Sequence, residues 1–205
     1  MAKSLGDLTV LDDPIDIRGL IKRYENSLKR ERRRFGYIHD GAGKRYLLGP
    51  LYMLLGDNAR AMKSFEWFEE TFPDDVGEPG QYLCWTLFLY RNGNLEAARR
   101  KLVQTMLLNL YLIPRLLGIH QEEIDMWHGS NWKTREYLDY VPPAFFSLWD
   151  EEALKWAWEV YESPEWNAIR SRWVEIYRQL KTEPIGDTRC RLVNEAMRLE
   201  GGWTA

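Results

Sequence analysis

The sequence predicts an all-α protein, and three observations support this fold class. Apolar side chains recur at three- and four-residue steps along most of the 205 residues, as they do on the buried face of an amphipathic helix. Glycine, proline, Asp and Asn interrupt this pattern repeatedly, as turns between helices do. Long alternation of apolar and polar residues, typical of half-buried strands, does not recur. We expect about eight or nine helices from these interruptions.

The composition favours a globular chain with one core. Apolar residues make up 45% and charged residues 29%, which excludes a disordered tail. A net charge of −3 argues against a dedicated nucleic-acid binder, which is usually strongly basic. We see no signal peptide near the start and no apolar stretch of about 18 residues. We therefore expect a cytoplasmic protein without a membrane partner, in which Cys84 and Cys190 stay reduced.

The first predicted helix runs from Pro14 to about Phe35. Asp13 is suited to cap its N-terminus, since an aspartate followed by proline at the first helical position is a typical start. Gly36 is suited to end it. The apolar stripe of this helix consists of Ile17, Leu20, Ile21, Tyr24 and Leu28.

The later helices are predicted between the remaining interruptions. The periodicity places them at residues 46–55, 59–72, 82–91, 95–113, 151–162, 165–180 and 188–199. Seven of the ten tryptophans lie between 127 and 173, and most fit helical stripes that pack into a core. One such stripe contains Trp166 and Trp173, and a second contains Trp158. Trp156 points away from that second stripe, and we expect it to be exposed.

Residues 42–75 resemble the tetratricopeptide repeat, a helical hairpin of about 34 residues. The matching residues are Leu48, Gly49, Tyr52, Ala61, Phe65 and Pro73. A degenerate second copy begins 37 residues later, where Gly93-Asn94 aligns with Gly56-Asp57. The resemblance implies a solenoid of helical hairpins, which needs about three units or capping helices at both ends for stability.

The chain is then divided into three parts of one solenoid-like unit. Residues 1–41 form an N-terminal arm and a capping helix, residues 42–118 form two hairpins, and residues 119–205 form a Trp-rich helical part. Residues 109–181 are similar to the block downstream of the repeats in suppressor-of-tumorigenicity-type proteins. That similarity implies no chemistry.

The resemblance to the tetratricopeptide family implies a binding groove along the first helix of each hairpin. Such a groove would accept an amphipathic helix or peptide of a partner protein. We therefore predict a non-catalytic adaptor for protein–protein interaction, although the N- or C-terminal helix of the chain itself is an alternative occupant. The predicted groove residues are Tyr46, Leu47, Pro50, Met53, Leu54, Leu83, Leu87, Tyr90 and Arg91.

Two charged segments supply alternative functions. Residues 121–165 carry a charge of −8, which suits an immunity or antitoxin protein that neutralises a basic toxin; its surface would include Trp156, Glu151, Glu152 and Glu159. A basic run could bind RNA or an acidic partner, although no aromatic residue interrupts it. That run consists of Lys29, Arg30, Arg32, Arg33 and Arg34. A self-associating structural protein is a further alternative.

The candidate catalytic motifs in the sequence are incomplete. Gly41-Ala42-Gly43-Lys44 lacks the earlier glycine and the following hydroxyl residue that a phosphate-binding loop needs. His120, Glu123, Asp125 and His128 have the chemistry of metal ligands, but we interpret them as scattered surface residues. We predict no enzyme, no metal and no cofactor. The identity of the partner and the oligomeric state are not encoded in any motif.

Overall fold

The computed structural model describes residues 13–201, and within that range it is all-helical, with ten α-helices and no strand. The predicted arm before Asp13 lies outside the described residues. Two short 3₁₀ helices, Asn131–Lys133 and Arg135–Tyr140, precede α7. The α-helices are α1 (Pro14–Phe35), α2 (Lys44–Leu54), α3 (Asn58–Thr71), α4 (Pro79–Arg91), α5 (Leu95–Leu108), α6 (Leu112–Leu116), α7 (Pro143–Ser147), α8 (Glu151–Tyr161), α9 (Pro164–Thr182) and α10 (Asp187–Gly201).

Both predicted ends of α1 are confirmed. The Asp13 carboxylate accepts a hydrogen bond from the Ile15 amide at 2.7 Å, and Pro14 occupies the first turn. Gly36 ends the helix in the left-handed region at φ 79°, where an L side chain is strained. The apolar stripe of α1 then packs against α2.

The pairs α2–α3 and α4–α5 repeat one local geometry 37 residues apart. Helices α3 and α5 each contain 14 residues. Asp57 caps α3 by accepting from the Arg60 amide at 3.1 Å, and Asn94 caps α5 by accepting from the Ala97 amide at 3.3 Å. The turn before each cap contains a glycine with positive φ. The internal repetition seen in the sequence is therefore also a repetition of backbone geometry.

Within the first hairpin, α2 and α3 cross at Gly49. A Cβ atom built on Gly49 would lie 2.4 Å from the Phe65 ring, so the close approach requires glycine. The Phe65 ring stacks on Trp85 of the second hairpin, with centroids 4.9 Å apart and planes inclined by 8°. Gly49 thus allows one side chain to join both hairpins.

The predicted helix 95–113 is interrupted at Asn109, which is fully buried. Its side-chain amide donates to the carbonyl oxygens of Trp132 at 2.6 Å and Thr134 at 3.0 Å. Its side-chain oxygen accepts from the Tyr111 amide at 2.9 Å. Asn109 therefore ends α5 and fixes a distant loop, a role that helical periodicity does not reveal.

A largely buried ionic cluster joins α1, α2 and the loop before α4. The fully buried Asp40 carboxylate accepts from the Arg45 amide at 2.7 Å and the Lys44 ammonium at 3.2 Å. Arg45 also pairs with Asp75 at 2.7 Å. Glu31 accepts from the Asp40 amide at 2.8 Å, and this bond holds the pKa of Glu31 below its usual value. Because each buried charge has a partner, the cluster is compatible with burial.

The C-terminal helices pack onto α5 and onto each other. The predicted stripe of α9 is confirmed, since Trp166 and Trp173 are buried in the core. The Lys133 ammonium donates to Tyr177 at 2.8 Å and to Glu200 of α10 at 2.7 Å. This contact holds α10 against the loop that follows α6.

We predict opposite effects of two glycine-to-alanine substitutions. Gly49→Ala should lower the free energy of unfolding by about 1–3 kcal/mol, because its Cβ overlaps the buried Phe65 ring. Gly19→Ala should raise it by about 0.5–1 kcal/mol, because Gly19 lies inside α1 with nothing within 4 Å of an added Cβ. Urea unfolding monitored by circular dichroism measures both changes. Similar effects of the two substitutions would contradict the close crossing.

Candidate functional site

The predicted groove residues form the inner face, defined as the face of α2 and α4 that carries the nine residues named above. Most of that face is inaccessible. Leu83 and Leu87 have no exposed surface, and Tyr46, Leu47 and Met53 are buried. Pro50 is also buried, Leu54 and Tyr90 are half-buried, and Arg91 is exposed.

The inner face is covered by residues 131–149 of the same chain, which include α7 packed against both α2 and α4. From Tyr137 onward, every fourth residue of this covering segment is buried: Tyr137, Val141, Phe145 and Trp149. The Tyr137 hydroxyl accepts from the Gly80 amide at 3.2 Å. At the far end, Arg91 donates to the Leu148 carbonyl oxygen at 2.6 Å and pairs with Asp150.

The covering segment belongs to the core. Exposing one large apolar side chain costs about 2 kcal/mol, so releasing four of them costs about 8 kcal/mol, which is comparable with the whole stability of a domain, about 5–15 kcal/mol. A partner helix therefore cannot enter the inner face while the fold persists. The occupant is an internal segment, whereas the sequence predicted a partner helix or peptide, with a terminal helix of the chain as the alternative.

Glu78 lies at one end of the inner face and caps α4. Its carboxylate accepts from the Gln81 amide at 2.7 Å. Burial raises the pKa of Glu78 to about 7, and this effect exceeds the opposite influence of the hydrogen bonds from the Gln81 and Gly80 amides. Glu78 is thus a carboxyl group that titrates near neutral pH.

On α8, the predicted exposure of two tryptophans is wrong, because Trp158 is the more exposed of the pair and Trp156 the more buried. Trp156 is half-buried and stacks on Tyr90, with ring centroids 4.7 Å apart. Trp158 is 46% exposed. The buried side of α8 consists of Ala153, Ala157 and Val160, so the apolar stripe is rotated relative to the one we predicted. The acidic residues Glu151, Glu152 and Glu159 are exposed, as their place on the predicted surface requires.

The basic run occupies the last turns of α1, where positive side chains stabilise the helix C-terminus. Lys29 pairs with Glu25 at 3.7 Å. Lys29 and Arg32 line a cleft between α1 and α3, whereas the other side of α1 presents Arg30, Arg33 and Arg34 next to the exposed ring of Phe35. The run is therefore divided between two surfaces. RNA binding by the run stays a prediction.

Two outer clefts follow from the repeat. The first cleft lies between α1 and α3 and has a volume of about 360 Å³, and the second lies between α3 and α5 with about 600 Å³. Ten lining positions correspond at the 37-residue offset. The helix before each hairpin contributes four of them: Glu25, Leu28, Lys29 and Arg32 of α1 in the first cleft, and Met62, Phe65, Glu66 and Glu69 of α3 in the second. The other six lie on the hairpin itself. In the first cleft they are Leu48, Tyr52, Arg60, Lys63, Ser64 and Trp67. In the second cleft they are Trp85, Leu89, Ala97, Arg100, Lys101 and Gln104. Neither cleft was predicted from the sequence, although the repeat offset was a signal for them.

The second cleft contains an enclosed lysine. The Lys101 ammonium lies over the rings of Trp85 at 4.0 Å and Tyr82 at 4.2 Å, and it faces Glu69 at 3.9 Å. Burial lowers the pKa of Lys101 to about 8, although Glu69 acts in the opposite direction. The ring faces favour the charged ammonium, so this lysine serves as packing between α4 and α5.

The candidate metal ligands are not assembled. His120 bonds to Glu122 at 2.8 Å, and Asp125 pairs with Lys181. Within residues 13–201, no group of three or more His, Cys, Asp or Glu is placed to hold a metal ion. The rejected phosphate-loop lysine, Lys44, lies between Glu31 and Asp40.

Comparison with protein-family models, curated proteins and solved structures gives no significant match to this chain. Among the described helices, none combines the length and apolar character that crossing a membrane requires.

We predict that Phe145→Ala will lower the free energy of unfolding by about 3–5 kcal/mol, because its side chain is buried between α2 and α4. Arg91→Ala should cost less than about 1 kcal/mol, since the pair with Asp150 is exposed to solvent. Urea unfolding of both variants tests whether the covering segment is core. A loss below about 1 kcal/mol for Phe145→Ala would show that the segment is dispensable.

We also predict a pH dependence from Glu78. Because its folded-state pKa is raised to about 7 from 4.5, its protonated form favours folding, and its contribution to stability is lost as pH rises between those values. Glu78→Gln keeps an oxygen acceptor for the Gln81 amide but cannot ionise. From pH 5 to pH 8, the wild type should therefore lose stability relative to Glu78→Gln in urea unfolding. Parallel pH profiles of the two proteins would contradict the raised pKa.

Proposed function

We propose that this chain is a non-catalytic protein-binding module built on tetratricopeptide-like hairpins, and that a basic protein partner binds the acidic face of α8. The acidic face is defined as Glu151, Glu152, Lys155, Trp158 and Glu159. The exposure of Trp158 at the edge of this face is the observation that carries the proposal.

The helical positions of these residues support a single contact surface. Residues 151, 155 and 158 follow one another at four- and three-residue steps, so they share one side of α8, with 152 and 159 beside them. All five are exposed, while the opposite side, with Ala153 and Ala157, packs into the core. The packing of α8 onto the core therefore holds these five side chains on one fixed surface.

The chemistry of the face favours a protein partner of positive charge. Tryptophan is enriched among interface residues whose truncation weakens binding most. Three glutamates against one lysine give the face a negative field, which speeds encounter with a basic surface. A pocket of apolar atoms on the partner would receive the Trp158 ring.

The repeat supports the tetratricopeptide-like arrangement. The close crossing at Gly49 and the paired caps Asp57 and Asn94 lie where stacked helical hairpins need them. The inner face of this solenoid is filled by the covering segment, so the binding role falls to the outside of the unit. That distinguishes the proposal from peptide capture in an open groove.

An immunity or antitoxin role is the more specific form of this proposal. A small nuclease-like toxin has a basic surface, and the exposed glutamates around Trp158 would complement it. The same surface serves both forms of the proposal, so the identity of the captured partner decides between them.

We predict that Trp158→Ala will weaken partner capture by about tenfold or more, as loss of a strongly contributing interface tryptophan does. Immobilised wild type and variant are compared in native lysate, the captured protein is identified by mass spectrometry, and its affinity is measured by titration. Thermal unfolding should change little, because Trp158 is 46% exposed.

Tyr140→Ala is the matched control, because Tyr140 is a second exposed aromatic residue, away from α8, and 57% of it is accessible. Tyr140→Ala should capture as much of the partner as the wild type does. A second variant, Glu152→Lys with Glu159→Lys, should also lose the partner. Unchanged capture by both α8 variants would refute the proposed surface.

A further inference from the structure

The first cleft combines an apolar floor with a positively charged rim. Leu28, Leu48 and Trp67 contribute to the floor, together with Ile38 and Tyr52. The volume of about 360 Å³ lies in the range of small-molecule pockets, about 300–1,000 Å³. An α-helix, about 10 Å across with its side chains, is too wide for such a cavity. The size of the cleft thus favours a small molecule.

The rim carries cations from two opposing helices. Lys29 and Arg32 extend from α1, and Arg60 and Lys63 extend from α3. Lys29 pairs with Glu25, and Arg60 pairs with Asp57 at 3.3 Å.

Arg32 and Lys63 differ from these paired cations, because neither has a carboxylate partner among residues 13–201. The cleft therefore offers one unneutralised positive charge on each wall.

The acidic group in the cleft is already engaged. Glu25 accepts a hydrogen bond from the Tyr52 hydroxyl at 2.6 Å and is also paired with Lys29. Burial and the bond to Glu25 raise the pKa of Tyr52 to about 12, so its hydroxyl stays protonated at neutral pH. The floor therefore adds no negative charge of its own beneath Arg32 and Lys63.

We propose that the first cleft binds a small organic anion, with its aromatic or branched apolar body on the floor and its carboxylate, sulfonate or phosphate group between Arg32 and Lys63. The apolar body gains by leaving water for the floor. The charged group pairs with cations that the chain leaves unneutralised. This binding does not depend on the partner surface on α8, which lies on a different helix.

The second cleft supplies an internal comparison. At corresponding positions Ala97 replaces Arg60, Gln104 replaces Trp67, and the Lys101 side chain occupies the place of Ser64. Two carboxylates, Glu66 and Glu69, line the second cleft. The repeated geometry thus creates both clefts, but only in the first do the lining cations outnumber the lining carboxylates.

The test uses 8-anilinonaphthalene-1-sulfonate as the anionic probe and N-phenyl-1-naphthylamine as its uncharged counterpart. Fluorescence titrations of the full chain at low salt should give one site per chain for the anion. Arg32→Gln with Lys63→Gln should weaken anion binding by about fivefold to tenfold, since two charge contacts are lost. The same variant should bind the uncharged probe within about twofold of wild type, because the floor is intact.

Arg30→Gln with Arg33→Gln is the matched control, since it removes the same charge from the other side of α1. It should leave the affinity for both probes within about twofold of wild type, because neither arginine lines the cleft. Equal weakening by the two double variants would attribute the effect to the general field of α1 and would overturn the proposal.

A filling variant places the probe within the cleft. Ser64→Phe puts a ring into the cleft at a half-buried position and should abolish binding of both probes, with folding checked by circular dichroism. An anion signal that persists in folded Ser64→Phe would place the probe elsewhere and overturn the proposal. The arginine–lysine variant remains informative if Ser64→Phe fails to fold, because its changed side chains lie on the surface.

Discussion

The apolar face shared by α2 and α4 must be covered, and the rest of the structure depends on how the chain covers it. Two hairpins bury the surfaces at which they contact each other but leave this apolar face open. Its exposure to water would cost free energy in proportion to its area. Residues 131–149 close it with four side chains from a segment that is mostly not α-helical. Asn109 holds the start of that segment by two hydrogen bonds. Because this segment covers the inner face, the outer surfaces are the ones accessible to a partner.

Charge has two separate tasks in this protein. In the interior, Asp40 pairs with Arg45, and Glu31 of α1 accepts from the Asp40 amide and pairs with Lys44 of α2, so α1 is tied to the first hairpin. Through Arg45 the cluster also reaches Asp75, in the loop that follows α3. On the surface, the basic end of α1 and the acidic face of α8 lie on separate helices. Such separation allows a nearly neutral chain to present two surfaces of opposite sign.

Local rules predict local features well and long-range contacts poorly. The ends of α1 follow from capping and proline chemistry, and the crossing at Gly49 follows from the repeat. The break at Asn109 depends on carbonyl groups more than twenty residues away, which periodicity does not encode. Trp158 was assigned to the core because α8 has two adjacent apolar stripes, one that contains Trp158 and one that contains Ala153, Ala157 and Val160. Tertiary packing alone determines which of the two stripes is buried. The inner face was predicted as a groove because nothing in residues 131–149 indicates, from local pattern alone, that they pack on α2 and α4.

The correspondence of the two clefts has an evolutionary consequence. When a gene segment encoding a hairpin is duplicated, the copy inherits the backbone and therefore a pocket at the same place, before any selection for a ligand. Substitutions at the ten corresponding positions then change what each pocket accepts, although the backbone stays the same. After such a duplication, the first and second clefts would be two chemical outcomes of one inherited shape. Exchanging the charged side chains at those positions between repeats, Arg32 with Glu69 included, would move a charge preference along the chain.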